Sequence, residues 1–282
     1  MKAKYTYAEA TTAYNVKILL YGDKAQLKQY SNTLYRLKEG YQKEKEIDIL
    51  PKVKTVPKTS ENKVIREDSI ARTMQKAEII IESNKEQWKT YLTLTFKENI
   101  LDLNYANYEF NKWVTRVKRV IKDFKYFCVP EFQKRGAVHY HLFTNINVDT
   151  EIIPKREIKQ LYNSEKDKTT SLEYYGIKYW SQGFSSAFDI VNGVDENFKL
   201  VSYMAKYMYK DIDNRLFGRN KILYSQGLKK GKEILLLQDT EDYYSSIELL
   251  NEYEKTKEKD ILSTKKYVPN IKLSEFNLAA KV

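Results

Sequence analysis

A short segment with two histidines constrains this chain more than any other part of it. Residues 129–143 read Val-Pro-Glu-Phe-Gln-Lys-Arg-Gly-Ala-Val-His-Tyr-His-Leu-Phe and contain both histidines of the 282-residue chain, His139 and His141. Apolar residues alternate with the histidines, which predicts a half-buried β-strand. Side chains two positions apart on a strand point to the same face. The two imidazoles should therefore project together, which is how a divalent-metal site can begin.

The turn before this strand decides whether a carboxylate joins the two imidazoles. A three-residue loop of residues 134–136, with glycine in the left-handed position, pairs Gln133 with Ala137 and sets Glu131 opposite His139. A two-residue loop would shift the register by one residue and turn Glu131 to the other face. We predict the three-residue loop because it completes a set of two imidazoles and a carboxylate. That set suits Mg²⁺ or Mn²⁺.

The composition indicates compatible partners and compartments. The net charge is +11 and the chain contains 24 tyrosines, a combination that suits phosphate contacts and base stacking on single-stranded nucleic acid. An AT-rich genome would produce a similar excess of lysine, tyrosine and asparagine, so composition alone leaves both readings open. We expect a cytoplasmic protein, because Cys128 is the single cysteine and neither a membrane span nor a signal peptide is recognisable.

The pattern along the chain predicts three parts. Residues 1–60 are expected to form a helical extension and linker, because residues 22–46 have helical composition and prolines follow. Residues 61–235 are expected to form the central domain and residues 236–282 a C-terminal extension. Strands are predicted at 91–96, 125–132, 137–144, within 176–190, and at 233–237. Helices are predicted at 62–87, 104–122, 154–162, 195–211 and 241–257, with a polar loop at 163–171.

The helix at 195–211 is the second informative element. One of its faces is apolar, and the opposite face carries Lys199, Tyr203, Lys206, Tyr207 and Lys210. A tyrosine hydroxyl beside lysines can act as a nucleophile, because an ammonium group favours the phenolate. In a chain this rich in tyrosine, two tyrosines one turn apart can equally be an ordinary solvated face.

Several other chemistries are excluded by the residues present. Two histidines and one cysteine are too few soft ligands for a structural zinc site. No Gly-x-Ser-x-Gly elbow and no phosphate-binding Gly-x-x-x-x-Gly-Lys-Ser/Thr loop occurs, so neither a serine hydrolase nor a nucleotide-driven motor is indicated.

The motifs together resemble those of the HUH endonucleases. More closely, the chain is similar to the rolling-circle replication initiators of bacterial plasmids and single-stranded DNA phages. Thr93-Leu94-Thr95-Phe96 matches the first motif of that family, Val138-His139-Tyr140-His141-Leu142 the second, and Tyr203-Met-Ala-Lys206-Tyr207 the third. Conjugative relaxases usually place the tyrosine before the histidines, and the transposases of this type are much shorter. A mobilisation relaxase, a transposase and a non-cleaving DNA-binding regulator remain as alternatives.

The resemblance implies an α+β fold, a ferredoxin- or RRM-like central antiparallel sheet flanked by helices, with the histidine strand in its interior. It implies metal-dependent nicking of single-stranded origin DNA, a 5′-phosphotyrosine intermediate and a free 3′-hydroxyl that primes a host polymerase. A host helicase would then be needed as a partner. Either Tyr203 or Tyr207 fits as the initiating nucleophile. The candidate DNA-contacting residues are Arg135, Lys199, Lys210, Lys229 and Lys230.

Overall fold

The computed structural model describes residues 11–38, 67–133, 136–154, 156–163, 168–190, 220–264 and 268–282. Their strands are β1 Thr11–Tyr21, β2 Lys24–Leu37, β3 Thr90–Thr95, β4 Tyr126–Phe132, β5 Val138–Thr144, β6 Arg156–Asn163, β7 Lys168–Tyr175, β8 Ser185–Asp189, β9 Leu223–Tyr224, β10 Lys232–Leu236, β11 Tyr253–Ile261 and β12 Ile271–Lys281. Their α-helices are α1 Glu67–Ser83, α2 Leu103–Val120 and α3 Glu241–Asn251, and a short 3₁₀ helix spans Lys85–Gln87.

The chain divides into two compact units, which do not follow the predicted three parts. A terminal unit combines Met1–Glu61 with Gly231–Val282, and a central unit spans Asn62–Lys230. The described strands of the two chain ends were expected in separate extensions, but they share one sheet in the order β10-β1-β2-β12-β11. Strands distant in sequence pair directly, as Ile18 with Ile234 and Leu27 with Ser274.

The terminal unit is where the prediction from composition fails most clearly. Residues 24–37 form β2 rather than a helix, and the predicted helix at 241–257 ends at Asn251 and gives way to β11. Both strands carry many charged residues on exposed positions, which resembles the composition of a solvated helix. Their conformation is set by hydrogen bonding to neighbouring strands, a long-range effect that overrides local propensity. The predicted strand at 233–237 is confirmed as β10.

The central unit contains the antiparallel sheet expected from the resemblance. Its described strands lie in the order β6-β7-β8-β3-β5-β4-β9, and the pairings between them are antiparallel. The predicted α+β class is confirmed, and the histidine strand β5 lies in the sheet interior. The helix predicted at 154–162 and the loop at 163–171 are wrong, because Arg156–Asn163 and Lys168–Tyr175 pair as a β-hairpin. Only β8 occurs within 176–190.

Each face of this sheet packs against a helix. On one face, the alternate β5 residues Val138, Tyr140 and Leu142 pack with α2 in a core where all three are fully buried. The Asp102 side chain caps α2 by accepting a hydrogen bond from the Asn104 amide at 2.9 Å. On the other face, α1 packs against the opposite row of side chains, which includes Phe143. No described helix has the length and apolar content needed to cross a membrane.

Candidate active site

The two histidines lie on the sheet face that also carries α1. Strand alternation places His139 and His141 on the face opposite Val138, Tyr140 and Leu142, as predicted. Cross-strand pairing arranges this face in rows. The first row is aromatic and contains Phe127, Phe143 and Tyr91; the second contains Val129, His141 and Thr93; the third contains Glu131, His139 and Thr95. The site therefore begins where the apolar row ends.

The hairpin register that determines the third row is the predicted one. The Gln133 amide donates to the Ala137 carbonyl at 2.9 Å, and the Gly136 amide donates to the Gln133 carbonyl at 2.7 Å. Gly136 has a φ of 92°, in the region that favours glycine. Glu131 consequently pairs with His139, which confirms the expected position of the carboxylate.

His141 is held by hydrogen bonds at both ring nitrogens. Its Nε2 lies 2.8 Å from Glu131 Oε2, and its Nδ1 lies 2.5 Å from the hydroxyl oxygen of Tyr91. An ionised carboxylate only accepts, so Nε2 carries the proton and Nδ1 accepts from Tyr91. The Tyr91 and His141 rings are also stacked, with centroids 5.9 Å apart and planes 13° apart. Glu131, His141 and Tyr91 thus form one hydrogen-bonded chain across three strands.

His139 lies beside this chain and is also buried. Only 8% of it is exposed, and its ring centroid is 6.3 Å from that of His141. Its cross-strand neighbour Thr95 is turned toward the next segment, since its hydroxyl donates to the Phe184 carbonyl at 2.6 Å. The pair of imidazoles therefore sits in a pocket of low water access, where electrostatic interactions are stronger than in bulk water.

The donor atoms suit a divalent cation, although they are not arranged around one. Two imidazoles and a carboxylate are the nitrogen and oxygen donors that such ions accept. Within the described ranges, however, no group of three or more His, Cys, Asp or Glu side chains is placed to hold an ion. Glu131 and His141 bond to each other instead. To bind an ion through Nε2, His141 would move its proton to Nδ1 and donate it to Tyr91.

Tyr91 is the site residue that sequence reasoning missed. It lies in the predicted strand, but only Thr93 to Phe96 were matched to a motif. The missing signal was the alternation of Tyr91, Thr93 and Thr95, which share a face opposite the buried Leu92 and Leu94. Pairing of β3 with β5 then brings this face against the histidines.

Two buried groups near the site are unsuited to act as nucleophiles. Burial raises the pKa of the Tyr140 hydroxyl and of the Cys128 thiol well above their ordinary values. The Tyr140 hydroxyl also donates to Asn107 Oδ1 at 2.8 Å, on the opposite face of the sheet from the histidines. A nucleophile must therefore come from another part of the chain.

The predicted nucleophile helix lies outside the described residues. This applies to Tyr203, Lys206 and Tyr207, and equally to the candidate DNA contacts Arg135, Lys199 and Lys210. Lys229 and Lys230 are described and are exposed at the end of the central unit.

The described fold and site define an α+β protein with a histidine pair and a carboxylate on one interior sheet face. A family model of replication-associated proteins (ORF2 type) matches residues 89–212, somewhat less than half of the chain. The matched segment contains β3, the histidine hairpin and the predicted nucleophile residues. This similarity supports a role in replication initiation, with DNA as a partner. No curated protein and no solved structure matches the chain.

Proposed function

We propose that this chain is a rolling-circle replication initiator, which nicks one strand of origin DNA with a tyrosine nucleophile. The observation that carries the proposal is the in-register set of Glu131, His139 and His141 on one sheet face. The replication-associated family model, which spans the histidine hairpin and the tyrosine pair, supports the same reading.

The proposed reaction is a transesterification. The hydroxyl oxygen of Tyr203 or Tyr207 attacks a backbone phosphorus, and the bond from phosphorus to the 3′-oxygen of the preceding nucleotide breaks. The tyrosine proton ends on that 3′-oxygen, so the products are a 5′-phosphotyrosine and a free 3′-hydroxyl. The phosphodiester energy is retained in the new bond, and religation therefore needs no nucleotide hydrolysis.

The described residues have distinct roles in this proposal. Glu131, His139 and His141 would hold the Mg²⁺ or Mn²⁺ ion, which when bound polarises a non-bridging phosphate oxygen. Tyr91 orients the His141 ring through Nδ1. Lys206 stabilises the attacking phenolate. The free 3′-hydroxyl would then be extended by a host polymerase, while a host helicase separates the strands.

A covalent-adduct assay tests the proposal. The protein is incubated with single-stranded oligonucleotides tiled across the origin of its native replicon, with Mn²⁺ and with Mn²⁺ plus EDTA. We expect a protein–DNA adduct that survives denaturation and is lost with EDTA. DNA binding with no adduct on any origin fragment would contradict nicking and favour a non-cleaving replication regulator.

Substitutions assign the roles. His139→Ala and His141→Ala should abolish the adduct, whereas Tyr140→Phe, on the opposite face of the same strand, should retain it. Glu131→Ala should lower Mn²⁺ affinity by about 10-fold or more. Tyr203→Phe and Tyr207→Phe should differ, one blocking the first cleavage and the other mainly strand transfer. Wild-type behaviour of both tyrosine variants would exclude this helix as the source of the nucleophile.

A further inference from the structure

A basic cavity lies at the β9 edge of the central sheet, apart from the histidine site. Its volume is about 600 Å³, and it lies between α1 and residues 220–230. Ser69, Thr73 and Lys76, which recur at helical spacing on α1, form one wall. Asn220, Lys221, Tyr224 and Lys230 contribute polar groups from the other side.

The loop that forms the second wall is fixed in place by hydrogen bonds. The Ser225 amide donates to the Tyr126 carbonyl at 3.0 Å, and the Tyr126 amide donates to Ser225 Oγ at 3.0 Å. Asn84, just beyond α1, accepts from the Lys229 amide at 3.0 Å and donates to the Lys229 carbonyl at 2.8 Å. A cavity held in this way binds a ligand without first having to order its own wall.

The charge of the cavity favours an anion. Its lining includes Lys76, Lys221 and Lys230, and none of the described residues that line it is acidic. The ammonium groups of Lys76 and Lys230 lie 5.1 and 5.9 Å from the centre of the Tyr224 ring. A partly exposed aromatic ring between lysines is the arrangement that binds single strands, because the ring stacks on a base and the lysines contact phosphates.

The cavity also lies on a suitable side of the sheet. Tyr224 pairs with Phe127 across β9 and β4, which extends the aromatic row of the histidine face to the sheet edge. Glu131 lies four residues beyond Phe127 on β4, so the row of Tyr224 and the row of Glu131 are about 13 Å apart along the strand. One DNA strand of a few nucleotides can span that distance.

We propose that this cavity binds a nucleotide unit of single-stranded DNA, with Tyr224 stacking on its base and Lys76, Lys221 and Lys230 contacting its phosphates. The inference rests on the proposed function, since it gives the nicked strand a second contact away from the reacting phosphate. It identifies residues that bind the strand and take no part in the chemical step.

Salt dependence of DNA binding tests the lysines. Binding of a fluorescein-labelled 12-nucleotide strand is measured by anisotropy in EDTA, so that no cleavage intervenes, over a range of salt concentrations. Lys76→Ala and Lys230→Ala should each lower the slope of log K against log salt by about 0.7, the value for one lost phosphate contact on a single strand. Lys118→Ala removes an exposed lysine from α2, on the other sheet face, and should leave the slope unchanged. Equal slopes for all three variants would overturn the inference.

A tyrosine pair tests the stacking. Tyr224→Leu should weaken strand binding roughly 5-fold or more, and Tyr224→Phe should restore most of it, because a phenyl ring also stacks. Tyr108→Leu is the matched control, since Tyr108 is exposed on α2 and has the Lys112 ammonium 5.0 Å from its ring centre. Tyr224→Leu binding as tightly as Tyr108→Leu would overturn the stacking role.

The two proposals fail in different ways. If wild-type protein forms the covalent adduct but the cavity variants bind DNA normally, nicking stands and the cavity inference is wrong. If the cavity variants weaken binding but no adduct forms with any metal, the cavity inference stands and nicking is wrong. Inorganic phosphate and thymidine monophosphate serve as competitors. If either binds in a Lys76- and Lys230-dependent manner while the 12-nucleotide strand does not bind, the ligand is a small free anion and the DNA assignment is overturned.

Discussion

At the scale of single residues, the hydrogen-bonded chain of Glu131, His141 and Tyr91 determines what the site can do. Both ring nitrogens of His141 are engaged, so the imidazole can neither rotate nor exchange its tautomer without a change at Glu131 or Tyr91. A group that fixes the second nitrogen of a metal-binding histidine orients the ring and raises its basicity. Tyr91 therefore prepares His141 for a cation, although it would not itself touch one.

Replacing Tyr91 with phenylalanine should weaken metal binding without unfolding the protein. The Tyr91→Phe variant keeps the ring that stacks on His141 but loses the hydroxyl that fixes Nδ1. We expect a fall in Mn²⁺ affinity of roughly 10-fold, measured by isothermal titration calorimetry.

The matched control for Tyr91 is Tyr140. Its hydroxyl is also hydrogen-bonded and its ring is fully buried, but it lies on the opposite face of the sheet. Tyr140→Phe should therefore leave Mn²⁺ affinity at the wild-type value. Equal affinities for Tyr91→Phe and wild-type protein would show that Nδ1 needs no partner for metal binding.

At the scale of elements, the β4–β5 hairpin brings the carboxylate to the imidazoles. Its turn depends on Gly136, whose φ of 92° is a conformation that residues with a Cβ atom rarely adopt. A slip of one residue would turn Glu131 away from the histidines. The turn geometry therefore matters for the site as well as for stability.

Gly136→Ala should destabilise the protein by about 1–2 kcal/mol, the cost of a left-handed conformation at a residue with a Cβ atom. The free energy of unfolding is measured by urea denaturation. Gly136→Asn is the control, because asparagine tolerates positive φ better than alanine, and it should cost less. If alanine and asparagine cost the same, the turn does not need its positive φ in solution.

The elements that could be predicted from the sequence are those whose pattern matches their burial. In β3 and β5 the alternation of apolar and polar residues coincides with two differently packed faces, and α2 shows a clear apolar stripe. In β11, by contrast, nearly every residue is exposed, so its Lys- and Glu-rich sequence carries no strand signal. Its strand conformation comes from pairing with β12, which no local pattern encodes. The carboxylate position was predictable only because the loop length fixed the register.

At the scale of the whole molecule, the central unit is inserted between two parts of one sheet. β1 and β2 come from the start of the chain, and they pair with β10 and β12 from its end. Sequence reasoning treated the ends as independent extensions, because pairing between strands more than 200 residues apart leaves no periodic signal between them. The terminal unit has its own core, which includes the fully buried Val16. The central unit has separate cores on its two sheet faces.

A buried charge should therefore disrupt the terminal unit and leave the central unit intact. Val16→Asp places an unpaired carboxylate in the terminal core, which should destabilise that unit by roughly 3 kcal/mol or more. Hydrogen exchange should then accelerate together in β1, β2 and β12, although β12 lies at the other end of the chain, while amides of β5 stay protected. Asn32→Asp, which adds the same charge at an exposed position of β2, should change neither region. Loss of protection in β5 as well would mean that the two units unfold as one, and that the histidine site depends on the terminal sheet for its stability.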